Sequence, residues 1–474
     1  WVPLEQVIAH NLEQLLPGSE GAEVHYFRLT RGAKDDPWDR LPRDEDDLDL
    51  APGSLIGMVS TELTARKFAG VSRLQVSAGM PKSMRQWLAE QLQSDSDDVI
   101  SMASPLALTD LVTYQPQGFP ELRDRPHKPV THPRFRDLDG DPGAVFREIA
   151  TGDILLHHPY HDFDTSIFRF LESAARDPDV LAIKLSIYRT SHQSAIIDVL
   201  TAAAHQGKQV AVLVEITARF DEAPNISWGE QLERAGAHVT YGMERLKTHV
   251  KLALVVREEA GELRRYIHVA TGNYHAGTAR LYEDLSILSC NEELGLRAAA
   301  VFNELTSAIP APDYAPLLVA PHNLRQRFTE LIRREAEHAR AGRPSGICAK
   351  MNQLEDAKII KELYDASQAG VPISLNVRGL CCLRAGDPEF SPTIKVFSTL
   401  GRFLEHGRIY RFENGGEPEL FIGSADWMRR NLDRRMETVA PVLDPAIRAE
   451  LDRVLETYEA DNCSAWDMQP DGSY

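Results

Sequence analysis

Two histidines stand in settings suited to phosphorus chemistry. His249 lies in the run Leu246-Lys247-Thr248-His249-Val250-Lys251, which leads into the apolar stretch 252–256. In an extended chain, alternation puts Lys247, His249 and Lys251 on one side, with Thr248 and Val250 on the other. A nucleophilic imidazole flanked by two cations suits attack on an anionic phosphorus, where incoming charge must be neutralised. Read alone, the same run is a surface strand end with scattered basic residues. A second site, Arg402-Phe403-Leu404-Glu405-His406-Gly407-Arg408, supplies a partner. Paired histidines let one attack phosphorus while the other gives a proton or hydrogen bond to the leaving oxygen. Both roles are open to a group that titrates near neutrality. The chain has 16 histidines, so most of them do something else.

Three arginines follow apolar stretches that read as strands: Arg189 after 180–188, Arg219 after 208–216 and Arg378 after 371–377. Strand exits are where α/β folds place ligands, and guanidinium groups there clamp phosphate oxygens. The plainer alternative for each is a surface salt bridge. Tyr274 and Tyr282 flank the loop behind His249, with Arg280 between them; either tyrosine suits a nucleotide base, a phosphate or the core. His157-His158-Pro159-Tyr160-His161 has the density of a metal site, but its spacing fits no zinc pattern, and a polar loop is the better reading. Gly415-Gly416 reads as a hairpin turn. No Walker A sequence or kinase glycine loop is present.

The elements that must position these residues change character along the chain. Residues 1–20 read as a helix stopped by Pro17-Gly18, 24–29 as a strand and 83–92 as a helix. The Pro-rich stretch 119–142 reads as a connector. This opening part looks α+β and is expected to form a head domain over 1–135. From 154 onward strands and helices alternate, as in layered α/β domains. Strands are expected at 180–188, 208–216, 238–241 and 251–256, and helices at 194–205 and 225–236. The pattern then recurs, with strands at 347–351, 371–377, 394–398, 408–412 and 419–422 around a helix at 357–367. Gly207 and Gly370 close equivalent helices, and His249 and His406 follow at similar distances. This is an internal duplication with a period of about 160 residues, and two such units pack face to face. The expected domains are 136–316, holding His249, and 317–474, holding His406.

A chain of 474 residues is long enough for about three domains. Its net charge of −18 argues against general nucleic-acid affinity, while a local basic cleft still suits an anionic substrate. The acidic runs at 44–49 and 95–98 read as solvated loops. Five cysteines show neither disulfide nor metal spacing and are expected to be reduced, mostly buried, cytoplasmic thiols. No apolar run is long enough to span a membrane, and no signal peptide is visible. The first residue is Trp1, which suggests a fragment or processed product.

Several long motifs resemble bacterial polyphosphate kinase. They are Tyr188-Arg189-Thr190, Ala218-Arg219-Phe220-Asp221-Glu222, the run around His249, Thr271-Gly272-Asn273, Thr278-Ala279-Arg280-Leu281-Tyr282 and Ser424-Ala425-Asp426-Trp427-Met428. Phe403-Leu404-Glu405-His406 with Phe412-Glu413-Asn414-Gly415-Gly416 belongs to the same set. The resemblance implies a head domain followed by two duplicated α/β domains of phospholipase-D-like fold. It implies reversible transfer of the ATP γ-phosphate to the end of inorganic polyphosphate through a phosphohistidine. On that resemblance His249 is the phosphorylated nucleophile and His406 the acid or leaving-group stabiliser. Tyr282, Arg378 and His406 match positions that contact ATP, and Lys247 and Lys251 join them around its phosphates. Arg189 and Arg219 match the positions assigned to the magnesium site. Since a guanidinium cannot ligate a cation, these two read as phosphate clamps beside Mg²⁺ held by phosphate oxygens and water. The family also implies a homo-oligomer, dimer or tetramer, in the cytoplasm, with peripheral association at the inner membrane in some members. It implies a further domain ahead of Trp1 that supplies a nucleotide-contacting asparagine. The phospholipase-D signature wants His-x-Lys followed by an Asp. Here Lys251 leads into an apolar run, and Arg408 takes the lysine place in the second copy. The rival readings are a phosphodiesterase of that superfamily and a non-catalytic polyphosphate-binding fragment.

Overall fold

The computed structural model describes residues 2–31, 70–103, 108–114, 118–138, 140–188, 195–216, 222–243 and 246–474. Arg189, Arg219 and the acidic run 44–49 lie outside the described residues. The chain divides into two compact units, Trp1–Pro126 and His127–Tyr474.

In the first unit Phe27–Arg31, Val71–Ser77 and Val99–Met102 form a three-stranded sheet, antiparallel at the first pairing and parallel at the second. Helix Lys82–Leu92 adds Leu88 to a small core of Val71, Leu74, Val76 and Met80. The single helix expected over 1–20 is two short ones, Leu4–His10 and Leu12–Leu15. Asn11 breaks them: its backbone leaves helical geometry at φ −113°, and its side-chain amide donates to the Val7 carbonyl at 2.8 Å. Asparagine competes in this way for backbone partners a helix would use.

The second unit is mixed α/β and contains the duplication. One sheet runs Ile154–His158, Tyr282–Ser289, Glu262–Ala270, Leu252–Glu259, Val180–Ile187, Gln209–Val214, His238–Tyr241. The other repeats the order as Leu318–Ala320, Arg435–Pro441, Glu419–Gly423, Ile409–Phe412, Ile347–Met351, Ile373–Val377, Ile394–Thr399, with Ala465–Asp467 added at the far edge. The pairing senses match strand for strand: antiparallel as far as Val180–Ile187 and Ile347–Met351, then parallel to His238–Tyr241 and Ile394–Thr399, while the added Ala465–Asp467 pairs antiparallel. The two sheets share apolar cores. Val250, Leu252 and Leu254 pack with Met436 and Ala440, and Leu285 and Ile287 pack with Ile409 and Ile422. A third core, inside the second repeat, centres on Phe328, Tyr410 and Trp427.

Two short strands are exchanged between the repeats. Lys247–Thr248 runs parallel to Arg435–Pro441 in the second sheet, and Leu404–Glu405 runs parallel to Tyr282–Ser289 in the first. The basic run around His249 is therefore not one strand continuing into 252–256, as alternation suggested. Lys247–Thr248 and Leu252–Glu259 belong to different sheets, and His249, Val250 and Lys251 connect them. The exchange gives partners to backbone groups that a free sheet edge leaves unpaired. All five cysteines are free; Cys382 and Cys463 are exposed and the others only partly buried, so the expectation of mostly buried thiols does not hold. Among the described residues no helix is long and apolar enough to cross a membrane.

Candidate active site

The exchanged strands deliver the two histidines in equivalent ways. The amide of His249 donates to the Met436 carbonyl at 2.9 Å, and that of His406 to the Glu283 carbonyl at 3.0 Å. Each imidazole is then held by a carboxylate from the other repeat's strand. His249 Nδ1 lies 2.8 Å from both oxygens of Glu437, and His406 Nδ1 lies 2.7 Å from Asp284 Oδ1. Both acids are buried and have further donors: Ser424 and Asn431 on Glu437, Thr271 on Asp284. When the acid is ionised it only accepts, so Nδ1 then carries the proton and Nε2 keeps its lone pair. His249 and His406 remain 12% and 16% exposed, enough for a ligand to reach Nε2.

The residues around the dyads are cationic. Lys251 is fully buried and donates to the His249 carbonyl at 2.7 Å. Arg408, two residues beyond His406, donates to the His406 carbonyl at 2.8 Å and lies 3.3 Å from both ring nitrogens. Asp426 holds the Arg408 guanidinium at 3.2 Å through both oxygens. Burial pushes His249 well below the ordinary imidazole range, and Lys251, Arg435, Arg408 and His406 push it further. His406 is also depressed, by burial first and then by Arg408 and Lys251, although Asp284 opposes the shift. Lys251 and Arg408 thus act on both rings, which places the two histidines in one electrostatic environment. Burial brings Lys251 down to about 7 and Glu437 up to about 7. Asp284 stays below its usual value despite burial, because His406 and Arg408 favour its charge.

Tyrosines lie against both rings. Tyr188 meets His249 edge-on at 5.2 Å and Tyr282 meets His406 at 5.4 Å. Tyr282 is therefore at the site, whereas Tyr274 is buried with its hydroxyl 2.9 Å from His268. Arg280 is exposed and pairs with Asp164. Arg378 stands at the exit of Ile373–Val377 and donates twice to Asn352 Oδ1, at 2.9 and 2.7 Å. Asn352 in turn donates to the His406 carbonyl and to Asp426, which ties Arg378 to the second dyad. Lys247 is partly exposed, its ammonium 5.7 Å from the Tyr188 ring centre. A side chain at Gly272 would meet Asp284 at 2.3 Å, so only glycine lets this loop approach the acid.

Sequence reasoning missed Glu437 and Asp284, and with them Arg435. A signal was present: the third residue of each equivalent strand, Tyr282-Glu283-Asp284 and Arg435-Met436-Glu437, is acidic in both copies. Lys247, His249 and Lys251 share one side as alternation predicts: all three lie against the Tyr188 ring, with Lys251 Nζ 5.1 Å from its centre. The His157–His161 run is not the polar loop expected throughout: His157 and His158 end strand Ile154–His158, with His157 paired to Glu283 at 2.8 Å and His158 Nδ1 bonded to the His161 carbonyl. Among the described residues no group of three or more His, Cys, Asp or Glu is placed to hold a metal ion. Asp284, Glu437 and Asp426 are already engaged by imidazole or guanidinium groups, so the described residues do not fit a protein-held magnesium ion.

Comparison with known proteins covers nearly the whole chain. The polyphosphate kinase middle-domain model matches residues 1–114, C-terminal domain 1 matches 144–310 and C-terminal domain 2 matches 317–474. A polyphosphate kinase from Thermosynechococcus vestitus is 47% identical over 494 residues, covering 100% of this chain and 66% of the relative. One from Parasynechococcus marenigrum is 46% identical over 485 residues, covering 100% of this chain and 67% of the relative. The crystal structure of polyphosphate kinase from Porphyromonas gingivalis superposes with a TM-score of 0.82 at 33% identity, covering 99% of this chain and 66% of that one. The chain thus spans about two thirds of the length of the relatives it matches.

Proposed function

The chain belongs to the polyphosphate kinase family, and on that premise we propose that it transfers the γ-phosphoryl group of ATP, reversibly, to the end of inorganic polyphosphate through a phosphohistidine at His249. The supporting observation is the pair of histidine–carboxylate dyads exchanged between the repeats and sharing two buried cations. Glu437 holds the Nδ1 proton of His249, leaving Nε2 to attack the γ-phosphorus in line. The Nε2–P bond forms as the bond from phosphorus to the bridging oxygen of ADP breaks. Lys251, Arg408 and Arg378 spread the charge on the transferring group. His406, held by Asp284, supports the departing oxygen from the second repeat once its Nε2 has taken up a proton. In the second half-reaction the terminal oxygen of polyphosphate attacks the same phosphorus and restores His249.

ATP enters as its magnesium complex, so the metal belongs to the substrate. Arg189 and Arg219 meet its phosphates, and Tyr282 and Arg378 contact the nucleotide. The working protein is a homo-oligomer in the cytoplasm. The test is transfer of label from γ-labelled magnesium-ATP into acid-insoluble polymer, compared between the chain and its His249→Ala variant. Polymer labelling lost in the variant supports the reading. Hydrolysis of a phosphodiester without transfer supports the phosphodiesterase rival, and salt-sensitive polymer binding without transfer supports a binding fragment.

A further inference from the structure

The two dyads are equivalent, but the peptides that carry them are gripped by different chemistry. In the first repeat the carbonyl of Val250, between His249 and Lys251, accepts from the Ser186 hydroxyl at 2.9 Å. In the second repeat the carbonyl of Gly407, between His406 and Arg408, accepts from Lys350 Nζ at 3.2 Å. Ser186 and Lys350 are equivalent positions. Ser186 bonds the backbone of Leu252, just after Lys251, and Lys350 is in register with Ile409, just after Arg408. The residue opposite the strand entry differs too. Met436 pairs with Thr248, ahead of His249, while Glu283 pairs with Glu405, ahead of His406. A neutral hydroxyl and a thioether in one repeat are thus replaced by a buried ion pair in the other.

That pair is built closely around Gly407. Lys350 Nζ lies 2.6 Å from Glu283 Oε2, and both side chains are buried. The same carboxylate oxygen accepts from the Gly407 amide at 3.1 Å, and the Glu283 carbonyl accepts from that amide at 2.8 Å. Glu283 therefore takes the N–H of Gly407 and Lys350 takes its C=O. A side chain at Gly407 would come within 2.8 Å of the Glu283 carboxylate, so glycine is what lets the acid close on this peptide. His157 completes the other oxygen of Glu283, which gives the His157–His161 run a use, and Lys350 also meets Glu405 at 3.2 Å. Glu405 is in turn held by the Tyr458 hydroxyl at 2.5 Å. Despite its burial, Glu283 is held well below the usual carboxylate range by Lys350 and His157, so its carboxylate is ionised.

We propose that Lys350 and Glu283 are positioning residues for His406: by gripping both polar groups of the Gly407 peptide they set where the second imidazole stands, without touching substrate. The proposal rests on the two-histidine reading above for its effect on turnover, and on geometry alone for its effect on His406. Removing the grip displaces a ring whose place matters within about 1 Å, a displacement that costs up to about 100-fold in rate.

The test uses the full chain carrying Lys350→Met, with ¹⁵N-histidine spectra in which His249 and His406 are assigned from His249→Gln and His406→Gln. The expected result is that the His406 signals move while those of His249 stay, and that kcat for polyphosphate synthesis falls about 10- to 100-fold with KM for ATP within about twofold. Unmoved His406 signals in a folded variant overturn the proposal, as does an equal displacement of both histidines. If Lys350→Met does not fold, Glu283→Gln serves with the same readouts, since Lys350 keeps Glu405 as partner. Absence of polyphosphate synthesis by the unmodified chain would count against the functional reading alone, because the spectra still decide whether this pair sets His406.

Discussion

Lys251→Arg separates the charge at this position from its ability to titrate. Burial lowers the Lys251 ammonium from its ordinary 10.5 to about 7. At pH 8 only about a tenth of the molecules keep the cation, and at pH 9 about a hundredth. If that charge is needed as the phosphoryl group moves, phosphoenzyme formation falls about tenfold per pH unit above about 7. On the acid side, the His249–Glu437 dyad takes up a proton as pH falls through about 7, where Glu437 titrates. Where that proton reaches the imidazole, or the neutral acid turns its O–H on Nδ1, it ends the lone pair on Nε2. Either the imidazole is cationic, or a neutral Glu437 donates to Nδ1 and the ring proton moves to Nε2. The profile is therefore a narrow bell centred near 7. A guanidinium does not deprotonate in this range, so the alkaline limb disappears in Lys251→Arg while the acid limb stays. The second repeat shows that arginine suits such a position: Arg408 donates to the carbonyl two residues back at 2.8 Å, as Lys251 does at 2.7 Å. The assay is rapid-quench labelling with γ-labelled ATP from pH 6 to 9. The shape of the profile decides, not its height. An alkaline limb unchanged in the variant would refute the assignment of that limb to Lys251.

Glu437→Gln replaces one of the two oxygens facing His249 Nδ1 with an amide that donates, and loss of the correct tautomer is expected to slow phosphoenzyme formation about 100- to 10,000-fold in the same quench assay. Trp427 is fully buried between Phe328 and Tyr410, so Trp427→Ala is expected to cost about 3–5 kcal/mol in a urea melt. His268 is buried and lowered from 6.5 to about 3, by burial first and by His158 second. As pH falls below 6.5, the unfolded chain takes up this proton and the folded chain does not, so stability falls with pH. Between pH 8 and pH 5 this one group accounts for about 2 kcal/mol. A His268→Gln variant is expected to lose about that much less than the unmodified chain in urea melts over the same interval.

The duplication was legible because both repeats use the same strand and helix signals, down to Gly207 and Gly370 at equivalent helix ends. The histidines were legible for a related reason: each follows its repeat's glycine at a similar distance, beside basic residues. Arg378 was found from its place after an apolar strand. What stayed hidden is long-range. Glu437 is 188 residues from His249 and Asp284 is 122 from His406. Each acid reaches its histidine only because two short strands are exchanged between sheets. Nothing local in Lys247-Thr248 says that it pairs with the other repeat, so the break before Leu252–Glu259 stayed hidden, although alternation put Lys247, His249 and Lys251 on the side they share. The helix expected across residues 1–20 failed locally instead, at a single asparagine whose side chain takes a backbone carbonyl.

The central claim is that the phosphoryl group rests on His249, and its location after a brief exposure to γ-labelled magnesium-ATP tests this directly. The expected result is an acid-labile, base-stable label on the peptide containing His249. It should be absent from His249→Ala, still formed by His406→Ala, and discharged when ADP is added. Label on His406, an acid-stable label, or polymer synthesis with no labelled protein at any time would contradict it.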